Sequence, residues 1–541
     1  MKIPENTIIN GDIFWDSSVL KSLKAAPAGG DIRELYGDAP GSFYDSLVRS
    51  AEKYPDRICI TDNAGTSYTY SRLLEMTDDF SRVLFHRYGV RPGMRIGLLL
   101  YNCIGFCVSF YAISRLNAAS VPLSTKYRKA EVLSLIEKAS LSGLIRDEVF
   151  AGWFEDGSAA GCGFILELSD SVPGSRLPSG EACPDVPSFR PAPADTAIIM
   201  FTSGTTSCSK GVIMSNYNTM HAVTVYRKIF RITEKDVTVI PVPIYHVTGL
   251  IGLLALFIDS GGHVILHKFF DAQRVLSDAV RYSVTFIHAA PTVFSLLLER
   301  RAEFPSLPAL RLMACGSSNM PGKKILELKE WLPDAEFRTV YGLTETSSPA
   351  SIFPCDASQS PYMGSSGHPV PGTLFKICSD SGSILPPGRV GSIWIKGSVV
   401  TPGYFINAPV PLEDGWLDTG DLGYFNEEGY LYIVDRKKDM INRGGEKVCS
   451  IDVENALYNI PGIAEAAVVG IADEKYGEVP AAMITLQPGV ELTPENLHDD
   501  LKKVLAGFQI PARFLIADSI PLTANSKVDK KKIRQLLSQN L

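Results

Sequence analysis

A lysine that follows a run of hydroxyls stands out first. The run is Thr202-Ser-Gly-Thr-Thr-Ser-Cys-Ser-Lys-Gly211, and it comes directly after the apolar stretch Ala197-Ile-Ile-Met-Phe201. Small, flexible Gly204 and Gly211 bracket Lys210. A loop of this composition suits a polyphosphate: backbone N–H groups and the hydroxyls of Thr202, Ser203, Thr205 and Thr206 wrap its oxygens, and Lys210 neutralises charge. It is not a Walker A loop, because glycine, not serine or threonine, follows the lysine.

Three further strings follow in order: Tyr341-Gly-Leu-Thr-Glu-Thr346; Gly415-Trp-Leu-Asp-Thr-Gly-Asp-Leu-Gly423 running on to Asp435-Arg-Lys-Lys-Asp439; and Pro521-Leu-Thr-Ala-Asn-Ser-Lys527. In this order and at these separations the chain resembles the adenylate-forming superfamily of acyl- and aryl-CoA ligases, luciferases and peptide-synthetase adenylation domains. The resemblance runs from about residue 45 to 535.

Activating a carboxylate with ATP requires that triphosphate charge be screened, magnesium held, the nucleoside fixed, and charge in the in-line transition state stabilised. Lys210 and its hydroxyls meet the first need. Glu345 is the natural magnesium ligand, since this ion takes one or two carboxylates with phosphate oxygens and water. The resemblance implies the remaining roles. Thr344 contacts the α-phosphate. Tyr341 stacks on adenine, with Gly342 beside it, and Gly316 and Ser317 line both adenine and the acyl pocket. Asp421 accepts the ribose hydroxyls and Arg436 also touches ribose. Lys527 bridges carboxylate and α-phosphate during adenylation. Lys438 is the hinge of a small domain that rotates afterwards, bringing Gly445 to face the site, and His246 is the gate between acid pocket and thiol channel. Lys527, Lys210, His246, Thr344 and Glu345 form the implied catalytic set.

The chain departs from the family pattern at Ser207, Ser209 and Ser526, where Gly, Pro and Gly are usual. A left-handed backbone at Ser207 would cost about 1–2 kcal/mol. Activity is expected to survive because the lysines remain. Tyr245-His246 also stands where amino-acid-activating domains carry an aspartate, which makes an amino-acid substrate a poor fit.

These motifs need a scaffold. Apolar runs such as Arg95–Leu100 and Val284–His288 alternate with amphipathic stretches such as Arg128–Ala139 between about 55 and 310. That alternation predicts βα units and parallel sheets covered by helices. Residues 155–195, rich in Gly, Ser, Pro and Asp, read as a connection with little regular structure. From about 373 to 435 short strands (Leu374–Cys378, Ser392–Lys396, Tyr430–Val434) predict a smaller β-rich subdomain. The expected division is an α/β N-terminal domain over 1–436 and a mobile, small α+β C-terminal domain over 437–541.

At 541 residues the chain exceeds one comfortable core. Its net charge of −7 argues against nucleic acid as a partner. Ten cysteines are too sparse for a disulfide scaffold, and Cys103 and Cys107 read as buried small hydrophobes. The opening Met1-Lys-Ile-Pro-Glu lacks a signal pattern, and the C-terminus is not a peroxisomal Ser-Lys-Leu. The uncharged run Val237–Ile258 is broken by Pro241, Pro243, Gly249 and Gly252, so no transmembrane helix is expected and a cytoplasmic location fits.

The expected reaction converts a carboxylic acid and MgATP to an acyl-adenylate and pyrophosphate, after which the thiol of CoA displaces AMP. Two alternatives stand beside it: loading of a separate carrier protein's phosphopantetheine, or a catalytically degraded relative that only binds nucleotide. The acid pocket is expected near 245–250, 288–293, 315–319 and 341–350. Its content (His288, Ala289, Ala290, Met313, Ser347, Ser348) is small and mostly apolar, which suits a fatty, branched or aryl acid.

Overall fold

The computed structural model describes residues 8–155, 157, 159, 161–169, 180, 183–202, 210–405, 412–523 and 528–539. Two large sheets carry the N-terminal region. The first has six strands in the order Lys210–Ser215, Thr196–Thr202, Ala119–Pro122, Arg95–Leu99, Gly143–Asp147, Ile165–Leu168. All its neighbours are parallel except Thr196–Thr202 and Lys210–Ser215, which pair antiparallel with Thr202 opposite Lys210. The ends of the hydroxyl-rich segment are therefore cross-strand partners.

Strand Ile165–Leu168 lies within the stretch expected to have little regular structure. Leu166 and Leu168 are buried and Glu167 is exposed, an alternation that suits the edge of a sheet.

The second sheet has nine strands. Its parallel centre runs Glu336–Tyr341, Leu312–Cys315, Phe286–Ala289, Val237–Ile240, His263–Leu266, Ile58–Thr61. Between the sheets lie helices apolar on every side. Ile104 to Ile113 of helix Ile104–Arg115 are all buried, as a helix must be when it has no polar face. Cys107 is inside this helix and Cys103 caps it, its sulfur accepting from the Phe106 N–H.

Helix Asn216–Phe230 is also sunk in the core, and its polar residues find partners there. Asn218 donates to the Ser398 and Val400 carbonyls, and Thr219 and Thr224 donate to carbonyls of their own helix or its cap. These bonds fix the segment that leads into Tyr404.

A third, antiparallel sheet contains Thr373–Cys378, Gly391–Gly397, Trp416–Phe425 and Leu431–Arg436, joined at one edge by Ile9–Asn10. Hairpin Leu23–Ala28/Asp31–Tyr36, not anticipated from the sequence, stands apart from it. After Arg436 a last sheet forms from Ile441–Arg443, Glu446–Val448, Ile463–Asp473, Gly477–Leu486 and Arg513–Ile516, with helices Ser450–Tyr458, Pro494–Leu501 and Lys530–Gln539. The uncharged run at 237–258 resolves into a strand, a loop and a helical stretch containing one wider π-turn, Leu250–Ala255. No helix among the described residues is long and apolar enough to cross a membrane.

Candidate active site

Parallel strands deliver their loops to one edge, and ligands of α/β sheets bind outside those carboxyl ends. A cavity of about 880 Å³ opens there. Tyr101, Asn102, Thr125 and Lys126 come to it from the first sheet, and Pro241–Pro243, Tyr245–Thr248, His267–Phe270, Ala290, Gly316–Ser317 and Gly342–Glu345 from the second. The third sheet closes one side with Leu417–Asp421, and Arg436, Lys437 and Lys438 stand at its mouth.

At one end the Tyr341 hydroxyl donates to Asp421 Oδ2 at 2.8 Å, and Arg436 Nε lies 3.3 Å from Asp421 Oδ1. Asp421 and Arg436 are register partners on adjacent strands, so the sheet itself sets their separation. Burial, reinforced by the Asp421 charge, pushes the Tyr341 hydroxyl well above the ordinary tyrosine range, keeping it a donor. Lys438 is pushed down by desolvation and then by repulsion from Arg436.

In the middle, Lys210 Nζ lies 5.0 Å from the centre of the Tyr404 ring, whose hydroxyl donates to Glu345 Oε1 at 2.9 Å. Glu345 sits in the tight turn Thr344–Thr346, and its carbonyl accepts from Thr401 N–H at 2.8 Å. Gly342 is fixed by close approach: a Cβ there would stand 1.4 Å from the Ser348 carbonyl oxygen. The sequence Tyr-Gly-Leu-Thr-Glu thus turns so sharply that only glycine fits its second position.

His246 precedes the helical turn Val247–Gly249, with its ring 4.9 Å from that of Tyr245. Its loop is pinned by Asn102, which accepts from Ile244 N–H and donates to the Val242 carbonyl, both at 2.9 Å.

The structure brings Thr202, Lys210, His246, Gly316, Ser317, Gly342, Thr344, Glu345, Asp421, Arg436 and Lys438 onto one cavity, with Tyr341 bonded to it through Asp421. Gly445 lies in the turn between Ile441–Arg443 and Glu446–Val448 and does not line it. Ser203, Gly204, Thr205, Thr206 and Lys527 lie outside the described residues. The base of the Lys527 segment is described: Leu522 lines the cavity and bridges to Val528.

The expected pocket content needs correction. Of the six residues, His288, Ala290 and Ser348 line the cavity, while Ala289, Met313 and Ser347 do not. Successive strand residues face opposite sides, so Ile287, Ala289 and Met313 pack into the core on the far face of the sheet while His288 faces the cavity. Sequence reasoning missed Tyr404 and Asn102, which line the cavity from distant segments carrying no local motif, and Tyr226, which is buried behind it and bonded to Ser348.

Known proteins resemble this chain in sequence and in fold. The AMP-binding enzyme family matches residues 47–405, and the AMP-binding enzyme C-terminal domain matches 452–527. An oxalate–CoA ligase of Arabidopsis thaliana is 31% identical over 90% of this chain and 97% of its own length. A medium-chain fatty-acid–CoA ligase of Escherichia coli (strain K12) is 30% identical over 94% and 92%. Among solved structures, o-succinylbenzoate CoA synthetase of Bacillus subtilis in complex with its acyl-adenylate intermediate superimposes with a TM-score of 0.80 at 29% identity, covering 90% of this chain and 97% of that one. The same enzyme is also solved with ATP and a magnesium ion. The chain therefore belongs to the adenylate-forming family of acyl- and aryl-CoA ligases, the AMP-binding enzymes.

Proposed function

We propose that this protein joins a carboxylic acid to CoA in two steps, forming an acyl-adenylate and pyrophosphate from ATP and then a thioester with release of AMP. The observation that carries the reading is the single cavity holding Tyr341–Asp421–Arg436 at one end and Lys210–Tyr404–Glu345 beside it. The relatives' names support CoA as the thiol.

Asp421 holds the ribose, because a carboxylate offers two acceptor oxygens to a diol. Tyr341 keeps that carboxylate in place and presents its ring to adenine. Lys210 and Thr202 face the β- and γ-phosphates. Glu345 suits magnesium, which needs few protein ligands when phosphate oxygens supply the rest, and the adjoining Thr344 faces the α-phosphate. The ion screens phosphate charge when bound. Residues 437–541 act as a mobile unit about Lys438, and Lys527 is brought to the α-phosphate by the segment anchored at Leu522 and Val528.

Lys527→Ala tests this arrangement. It should abolish acid-dependent pyrophosphate release while largely sparing thioester formation from supplied acyl-adenylate. Equal loss of both half-reactions would refute the role.

A further inference from the structure

The cavity's lining includes apolar Val247, Phe270, Ala290 and Val293 together with polar His288 and Ser348. We propose that the acid accepted here carries an uncharged oxygen substituent, a hydroxyl or carbonyl, away from its carboxylate, and that His288 and the Ser348–Tyr226 hydroxyl pair read it. The proposal rests on the ligase reading above, in which His288 and Ser348 stand beside Gly316 and Gly342, so that the acid and the nucleotide share this wall of the cavity.

His288 is only 1% exposed yet lines the cavity, so only an edge of its ring reaches the space. Gly252, in the π-turn, makes room for the Nδ1 edge: a Cβ there would come within 2.9 Å of it. Nε2 is on the side of Gly316, which also lines the cavity. The Tyr226 ring stands edge-on to His288 with centroids 5.7 Å apart, and its hydroxyl is 2.7 Å from Ser348 Oγ. Two hydroxyls carry two protons and spend one on each other, so the pair retains one hydrogen bond to donate.

The backbone supports a built site. Ser347 and Ser348 both have left-handed φ values, 54° and 97°. Each such non-glycine residue costs about 1–3 kcal/mol and persists only where its surroundings over-determine it. Here the turn is held by Ser347 N–H to Thr344 O at 3.0 Å and Ser348 N–H to Leu343 O at 3.2 Å.

Charge selects the ligand class. Burial pushes His288 down to about 4 and holds the Tyr226 hydroxyl protonated, so the trio is neutral near pH 7. A carboxylate pressed against neutral groups would lose hydration without a counter-charge. A hydrocarbon there would leave these polar atoms unpaired. A hydroxyl or carbonyl satisfies them.

The test uses matched acids of one chain length ending in methyl, hydroxyl, ketone or carboxylate, and the pair phenyl and 4-hydroxyphenyl, with kcat/KM read from pyrophosphate release. The wild type should favour the uncharged oxygenated member on the order of tenfold or more over its methyl or unsubstituted partner. S348A and H288F should each bring that ratio toward one. Because the ratio is internal to each variant, a loss of folded protein cancels. Turnover without preference for the oxygenated acid, or a preference for the carboxylate-ended one, would overturn the inference and leave the ligase reading intact. No turnover of any acid by the wild type would overturn both.

Discussion

Replacing Asp421 with Asn keeps its shape and removes its charge. Asp421 is 5% exposed in its side chain, accepts the Tyr341 hydroxyl at 2.8 Å and faces Arg436 Nε at 3.3 Å. Arg436 is 44% exposed, so the ion pair is screened and its loss costs at most about 1 kcal/mol. The fold should therefore survive. Nucleotide affinity should not. Hydrogen bonds to a charged acceptor are worth about 1.5–3 kcal/mol each, and an amide offers one acceptor oxygen where the carboxylate offered two. Losing one ribose bond and weakening the other gives about 2–4 kcal/mol, or about 30- to 1,000-fold in KM for ATP. The ribose is remote from the reacting phosphorus, so kcat at saturating ATP should change by no more than about threefold. Pyrophosphate release over a range of ATP concentrations reads both constants, and a urea transition checks folding. A folded variant with KM for ATP within about twofold of wild type would remove Asp421 from the nucleotide site. A collapsed kcat with unchanged KM would place it at the reacting centre instead.

Lys210→Ala should raise KM for ATP about 10- to 100-fold by removing a charged phosphate contact, and unchanged ATP kinetics would contradict its assignment. Lys530 Nζ is 2.7 Å from Ser450 Oγ and 3.3 Å from Glu454, whose buried carboxyl is pushed up by desolvation while the lysine charge opposes that rise. Lys530→Met strands this carboxylate and should destabilise the C-terminal region by about 3 kcal/mol, with Glu454→Gln in the same chain recovering part of the loss; an unaltered urea midpoint would refute the pairing. His221 is buried and its pKa is lowered from 6.5 to about 4 by desolvation, so the folded protein binds fewer protons than the unfolded chain between those values. Stability tied to it is fully present above pH 6.5 and is lost as pH falls toward 4. In His221→Gln the fall in unfolding free energy between pH 6.5 and 5 should be shallower by about 1 kcal/mol per pH unit, and parallel wild-type and variant curves would contradict this.

The side of the cavity that holds Lys210 and Glu345 was legible because each of its segments is a run of consecutive residues. A parallel strand's carboxyl end must turn, and the turns at Gly316 and at Tyr341–Glu345 carry the composition that close backbone approach demands. Asp421 and Arg436 were legible as motif members, but their register pairing was visible only once strands Trp416–Phe425 and Leu431–Arg436 were aligned. Tyr404 was not legible. Its bond to Glu345 depends on how Asn218, in a buried helix, holds the carbonyls at 398 and 400. The cavity lining was half legible: the four expected segments all reach it, but which residue of each strand turns inward is a one-residue matter of register, and it sends His288 to the cavity and Ala289 and Met313 to the core. The polar part of the lining follows from that register, and the bond from buried Tyr226 to Ser348 gives no sign of itself in sequence.

The most direct test of the account is pyrophosphate release by the purified protein with MgATP across fatty, aryl, hydroxy, keto and amino acids, with and without CoA. The account predicts release that requires an acid, favours a non-amino acid, and yields the matching acyl-CoA only when CoA is present. Acid-dependent release with no acyl-CoA product in the presence of CoA would contradict CoA as the acceptor, and tight ATP binding with no acid-dependent release would contradict the ligase assignment itself.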